Sequence, residues 1–383
     1  MRRLRVARTG AACGTATRRG TRAGRPVTRT GILLLGFGEP ATWRITDVLP
    51  FLERIFERNG RLEAGGLAVG RARQLAARRA PGLVEEYRLM GGSPLVEQLE
   101  RQARMLADTL AARNCAVVVR AGMQFTEPGI PAAVDALRAD GVGSVVALPV
   151  YPLTGPSTSI AALEDLELAV RRSGWIVPVR EVLGWHTHPD YVALRADGVR
   201  RTCREAGLDL RDPSTSLVFC AHGTPLTYLR DGSRYDRYVD EHCRRLAQAL
   251  GGIEYVRGYQ NHSNRPGVVW TEPEIGRVLA GLEAERVVLV PVSYMQEQSE
   301  TLAGMDHDLR KRAGERGLEY HRVPVPHDDP RFGELLADLV EPLLDPRDSG
   351  ATGFRDCACR GAGRAVCRVE ASAGVETRPA ITG

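Results

Sequence analysis

The sequence predicts an α/β protein of two Rossmann-like domains with parallel sheets and a cleft between them. Three observations carry that prediction. Short β-branched runs alternate with helical patterns along most of the chain, as parallel strands covered on both faces require. Several runs end in Gly, Pro or Ser turns, where ligands sit in doubly wound sheets. The second half also repeats landmarks of the first.

Taken in chain order, Gly31–Leu35 reads as a buried strand ending in the turn Gly36-Phe37-Gly38-Glu39-Pro40. Val48–Phe56 and Leu95–Ala112 carry amphipathic helical spacing, and Ala116–Arg120 is a strand. A helix over Ile130–Ala139 leads to a strand over Val145–Val150, which stops at Tyr151-Pro152. In the second half Leu217–Ala221 is a strand that ends at His222-Gly223-Thr224-Pro225. It is followed by a helix over Asp236–Leu250, a strand over Ile253–Gly258, a helix over Glu274–Leu282 and a strand over Val287–Val292. Phe332–Leu344 is a closing helix.

The repeat is weak but ordered. Val145, Val146, Pro149 and Ser157 recur 142 residues later as Val287, Val288, Pro291 and Ser299, and Gly38 and Pro40 recur 185 residues later as Gly223 and Pro225. The expected division is therefore a tail over 1–30, an N-terminal domain over 31–170, a C-terminal domain over 171–345 and a tail over 346–383. The connection falls within 170–216, where Pro178, Pro189 and Pro213 punctuate the chain.

A chain of 383 residues exceeds one ordinary core and suits two domains. No stretch approaches the roughly eighteen apolar residues of a membrane-spanning helix, so membrane contact is expected to be peripheral at most. The net charge of +5 misleads, because residues 1–30 hold nine arginines and no Asp, Glu or Lys, which leaves −4 for the rest. A mildly acidic folded part gives no nucleic-acid footprint. The acid-free, Arg-rich tail has the composition of an organelle transit peptide, but two plainer readings, a disordered extension or translation from an upstream start codon, are together preferred.

Two residues stand out chemically. His222 ends an apolar strand before a rigid turn, which aims an imidazole at the cleft, where it can accept a proton or touch a borderline metal. Glu300, in Ser299-Glu300-Thr301 after the strand Val287–Val292, brings a carboxylate to the same edge. Together they can relay protons or hold a divalent cation in transit; a lone histidine reads more simply as a core residue, but the strand end and rigid turn favour the functional reading of His222, while Glu300 alone reads more simply as a helix-start acid. Asp306, His307 and Asp308 follow on the same helix, as a path for protons or cations or as a solvated face. The Gly36-x-Gly38 turn imitates a dinucleotide fingerprint, but Pro40 and the missing acid further on argue against one.

Six segments in order resemble the ferrochelatase family, from about Gly31 to Leu344. They are Gly31–Pro40 with Val48–Leu52; Gly91-Gly92-Ser93-Pro94-Leu95; Leu148–Pro152 with Ser157–Ser159; Ala221–Pro225; Tyr259-Gln260 with Trp270 and Pro273; and Pro291–Asp306. The resemblance implies a chelatase-type fold that inserts ferrous iron, a substrate here, into coproporphyrin III or protoporphyrin IX, forming haem or its precursor. It implies that His222 and Glu300 are catalytic and meet the iron. It also implies that Phe37, Gly38, Pro40, Ser93, Pro94, Tyr151, Thr224, Pro225, Trp270, Ser299 and Thr301 contact the porphyrin.

Some relatives carry a [2Fe–2S] cluster, and Cys357, Cys359 and Cys367 resemble its C-terminal ligands, with no cysteine near Pro156 where the internal one falls. The chain departs from the family at Ser293-Tyr294, Glu297-Gln298 and Gly232-Ser233-Arg234-Tyr235, and Phe37 replaces a tyrosine found in some relatives. The rival readings are a sirohydrochlorin-type chelatase, which relies on two histidines where this chain has His222 and Glu300, and a tetrapyrrole-binding protein without turnover. A monomer or homodimer in the cytoplasm is expected, with Ile45–Phe56 a core helix rather than a membrane lip.

Overall fold

In a computed structural model the described residues are 29–60, 70–261 and 267–344, with the backbone of 355–356 and 365–367. The first half holds β1 (Thr30–Gly36), α1 (Ile45–Gly60), α2 (Arg71–Met90), α3 (Leu95–Ala112), β2 (Val117–Met123), α4 (Ile130–Ala139), β3 (Ser144–Pro149), α5 (Ala161–Arg172) and β4 (Val179–Leu183). After α6 (Pro189–Ala206) come β5 (Thr215–His222), α7 (Leu226–Arg230), α8 (Tyr235–Ala249), β6 (Val256–Gln260), α9 (Ile275–Ala280), β7 (Arg286–Pro291), α10 (Arg310–Gly314), β8 (Glu319–Arg322) and α11 (Pro330–Val340). Each half has a π-helical segment, Pro156–Ile160 and Glu300–Leu309, after its third strand.

The two sheets repeat one topology. The first runs β2-β1-β3-β4 and the second β6-β5-β7-β8, with every pairing among these eight strands parallel. The central strands β1 and β7 are apolar almost throughout and buried, as strands covered on both faces must be. One core packs Ile32 and Leu34 of β1 under Leu99 and Leu106 of α3, and a separate core packs Phe219 of β5 under Val239 and Leu246 of α8.

The division of the chain differs from the expected one in three places. β4 pairs with β3, so the first sheet runs past residue 170. The prolines read there as breaks start elements instead. Pro178 precedes β4, and Pro189 opens α6, where the His188 ring accepts from the Asp190 amide at 3.2 Å and caps the first turn. The closing helix α11 crosses back to the first sheet, with Phe332, Leu335, Leu336 and Leu339 packed beside Leu99 and Leu106. Finally, the segment expected as a cysteine-containing tail without a core of its own contributes β9 (Arg355–Asp356) and β10 (Ala365–Cys367), which extend the first sheet beyond β4. Cys357 and Cys359 lie outside the described residues, as does the arginine-rich segment 1–28.

Candidate active site

The carboxyl ends of β1, β3, β5 and β7 open on one cleft of about 1050 Å³ between the halves. Phe37, Tyr151, His222, Thr224, Pro225, Trp270, Ser299 and Glu300 line it, so most residues singled out in the sequence meet there. Gly38, Pro40, Ser93, Pro94 and Thr301 are not among the lining residues. Gly38 turns the chain at φ 80°, and a side chain there would strike Met123 and Thr126. Pro94 precedes the first turn of α3, and the Thr301 hydroxyl accepts from the Gln298 amide at 2.9 Å, which tightens the start of the π-helical segment.

His222 is the last residue of β5, and its amide donates to the Ser293 hydroxyl at 3.0 Å. The Tyr235 hydroxyl meets the same oxygen at 2.9 Å. The ring Nδ1 of His222 lies 3.2 Å from Glu300 Oε2, with both side chains partly exposed to the cleft, 27% and 23%. Burial alone drives an imidazole toward its neutral form, but the Glu300 charge and hydrogen bond outweigh it and raise the His222 pKa above its usual 6.5. Glu300 is held through its main chain, because the Gln260 amide nitrogen donates to its carbonyl at 3.1 Å and Tyr294 in turn donates to the Gln260 oxygen at 3.2 Å.

The wall opposite is apolar. Phe37 lies tilted at 4.6 Å from Phe125 and edge-on at 6.2 Å from Phe51, and Leu52, Ile55, Phe56 and Leu83 continue the surface along α1 and α2. The helix over Ile45–Phe56 therefore faces the cleft on one side and carries exposed Ile45 at its start. Tyr151 buries its hydroxyl in the same wall, and burial holds it protonated.

The acidic row after Glu300 splits. Asp306 turns away and pairs with Arg322 at 2.6 Å, and Arg322 also holds Glu297 at 2.9 Å. Only Asp308 reaches the cleft, while His307 is exposed and pairs with it at 3.0 Å. The reason is the π-helical winding, which sets Glu300, Gly304 and Asp308 on one face.

One acid was not singled out from the sequence. Glu39, in the turn after β1, is 5% exposed and lines the cleft floor. Its carboxylate accepts from the Ser93 hydroxyl at 2.6 Å, the Ser299 hydroxyl at 2.6 Å and the Ser299 amide at 3.1 Å. Burial raises its pKa, and those donors oppose the rise without cancelling it. The available signal was an acid set between Gly38 and Pro40 at a strand end.

A cleft of about 1050 Å³ with an apolar wall, and with a base beside a carboxylate at one edge, suits an enzyme that exchanges protons for a metal ion, which is a metal chelatase. Comparison with known proteins agrees. A model of the Ferrochelatase family matches residues 29–343. A protein named Ferrochelatase from Synechococcus sp. (strain RCC307) is 34% identical over 331 residues, 83% of each chain. Another of that name from Geotalea daltonii is 30% identical over 322 residues, 82% of this chain and 97% of its own. A solved structure of SirB from Bacillus subtilis with Fe3+ covers 85% of this chain and 98% of its own at 13% identity, with a TM-score of 0.48. The chain belongs to the ferrochelatase family.

Proposed function

We propose that His222 takes a porphyrin proton while Glu300 fixes the imidazole and offsets the charge of the arriving iron. As a ferrochelatase the chain inserts ferrous iron into a porphyrin in haem biosynthesis. The observation that carries the assignment is the 3.2 Å contact between Nδ1 and Oε2 at the edge of the cleft. With Nδ1–H donating to Glu300, the neutral ring keeps its lone pair on Nε2, the nitrogen left to meet the macrocycle. Insertion breaks two pyrrole N–H bonds, forms the iron–nitrogen bonds and releases two protons. A positioned base supplies about 10²- to 10⁴-fold of such a rate. The porphyrin lies against Phe37 and its aromatic neighbours, with Tyr151 and Trp270 at the sides. Gly38, Pro40, Ser93, Pro94 and Thr301 hold that surface in shape.

The substrate is coproporphyrin III or protoporphyrin IX, and side-by-side turnover of the two assigns it. The test of mechanism is anaerobic single-turnover absorbance with ferrous iron. Free-porphyrin bands disappear with the unaltered protein and with Ile176→Ser, a change at a fully exposed residue. They persist in His222→Ala. A spectral shift on porphyrin binding with no insertion by the unaltered protein would refute the reading.

A [2Fe–2S] cluster on Cys357, Cys359 and Cys367 would need a fourth ligand. The described cysteines fit poorly. Cys115 leads into β2, four strands from β10 and so roughly 19 Å across the sheet. Cys220 and Cys243 lie in the core of the second sheet, and Cys203 packs there from α6. Among the described residues no helix is long and apolar enough to cross a membrane.

A further inference from the structure

We propose that Glu39 is a positioning residue for metal insertion, holding from the N-terminal half the loop that carries Glu300 on the C-terminal half. This rests on the role given above to Glu300. The loop from Met295 to Ser299 is gripped from both halves: Arg322 and the Val325 amide hold the Glu297 carboxylate from its own side, and further contacts come from across the cleft. Gln102 of α3 donates to the Met295 carbonyl at 3.0 Å and accepts from Gln296 at 2.6 Å, and Gln98 accepts from the Glu297 amide at 2.7 Å. Glu39 makes the last and closest of these contacts, one residue before Glu300. Its two oxygens take both the hydroxyl and the amide of Ser299.

The carboxylate therefore caps the π-helical segment Glu300–Leu309 from another part of the chain, supplying an acceptor to an amide at the helix start. Charge-assisted bonds of this kind are the stronger sort, and two to one residue fix its orientation as well as its place. The Glu39 turn is itself stiff. Gly38 sits at φ 80°, Pro40 fixes the next residue, and Ser93 holds the remaining side of the carboxylate. His222 belongs to β5 of the C-terminal half, so the spacing of His222 and Glu300 is set jointly by the two halves. An acid that is 5% exposed is costly to bury. A neutral side chain would close the same interface, but it would not accept from both donors of Ser299.

The test compares Glu39→Ala, Glu39→Gln, Ser299→Ala and the double variant Glu39→Ala/Ser299→Ala in anaerobic insertion kinetics. Porphyrin affinity is read separately by fluorescence quenching without iron. Glu39→Ala is expected to lower kcat about 30- to 100-fold, with KM and porphyrin affinity within about twofold. Glu39→Gln keeps one acceptor and recovers kcat to within about tenfold of the unaltered protein. The double variant is expected to be no slower than Glu39→Ala, since both remove the same contact. The inference is overturned if Glu39→Ala keeps kcat, if porphyrin affinity falls in step with kcat, or if the two changes multiply. Should Glu39→Ala fail to fold, Glu39→Gln and Ser299→Ala give the same reading. Insertion by the unaltered protein and its loss in His222→Ala keep a failure here distinct from a failure of the proposed function.

Discussion

Replacing Glu300 by Gln keeps the shape of the side chain and removes its charge. In the unaltered protein, burial draws the His222 pKa down and Glu300 lifts it above 6.5, so Glu300→Gln leaves burial unopposed and the pKa falls below that value. The base is then neutral to lower pH, and the acid limb of the kcat/KM profile moves down. The rate at the plateau falls as well. A hydrogen bond to a charged group is worth about 1.5–3 kcal/mol and a neutral one about 0.5–1.5. The difference at a partly exposed 3.2 Å contact is therefore roughly 1–1.5 kcal/mol, or about five- to tenfold in rate. If the amide presents its NH2 to Nδ1, the ring is forced into the tautomer that carries its proton on Nε2. The loss then approaches the roughly 10⁴-fold seen when an acid that orients a catalytic histidine becomes an amide. Stability follows the same sign. A raised histidine pKa contributes stability that is full below 6.5 and is lost as pH rises through the folded value, so Glu300→Gln destabilises more at pH ~6 than at pH ~9. The assays are kcat/KM for iron from pH ~5 to ~9 and urea unfolding at both ends. An acid limb that stays in place or moves upward refutes the coupling.

Other changes test the scaffold. Gly304→Ala drives a methyl group into the Gln260 amide that holds the Glu300 carbonyl, so kcat should fall about tenfold or more, with far-UV circular dichroism unchanged. Arg322→Met leaves Glu297 and Asp306 without their shared cation, and Arg322 is only 7% exposed. Urea unfolding should show a loss of about 3–5 kcal/mol. Phe332→Ala empties the contact of α11 with the first core and should cost about 3–5 kcal/mol in the same assay, whereas a closing helix that packed on the second sheet would leave the first core intact.

The strands of both sheet centres were legible because a strand buried on both faces is a run of apolar residues. His222 and Glu300 were legible because each follows such a run. What escaped the sequence was polar or non-local. β4, Val179–Leu183, carries Arg180 and Glu181 inside a strand, so no apolar run marks it. α6 opens with Pro189 and has a buried Arg195 on its inner face, which hid its periodicity. β6 is shifted along the chain from the expected Ile253–Gly258 to Val256–Gln260, the residues that pair with Val218–His222 of β5. Glu39 could not be read at all as a partner of Ser299, since 260 residues separate them and only the packing of the halves joins them.

The repeat explains why the chemistry is one-sided. The 185-residue shift sets His222 over Phe37, and the 142-residue shift sets Glu300 over Thr158, so each half ends its first strand and opens its π-helical segment at matching places. The same backbone thus offers an imidazole and a carboxylate on one wall, and a phenyl ring and a hydroxyl on the other. A base on both walls would leave two histidines competing for one small metal ion and would take the Phe37 ring out of the apolar surface. On the mechanism proposed above, Phe37 backed by Phe51 and Phe125 gives the ring a dry face to rest against, and proton removal is confined to the face that meets His222. Phe37→His should then weaken porphyrin binding without adding a second route for insertion, because Thr158 cannot supply the charge that Glu300 gives its histidine. Fluorescence quenching and kcat measured together decide this, and a gain in kcat would contradict it.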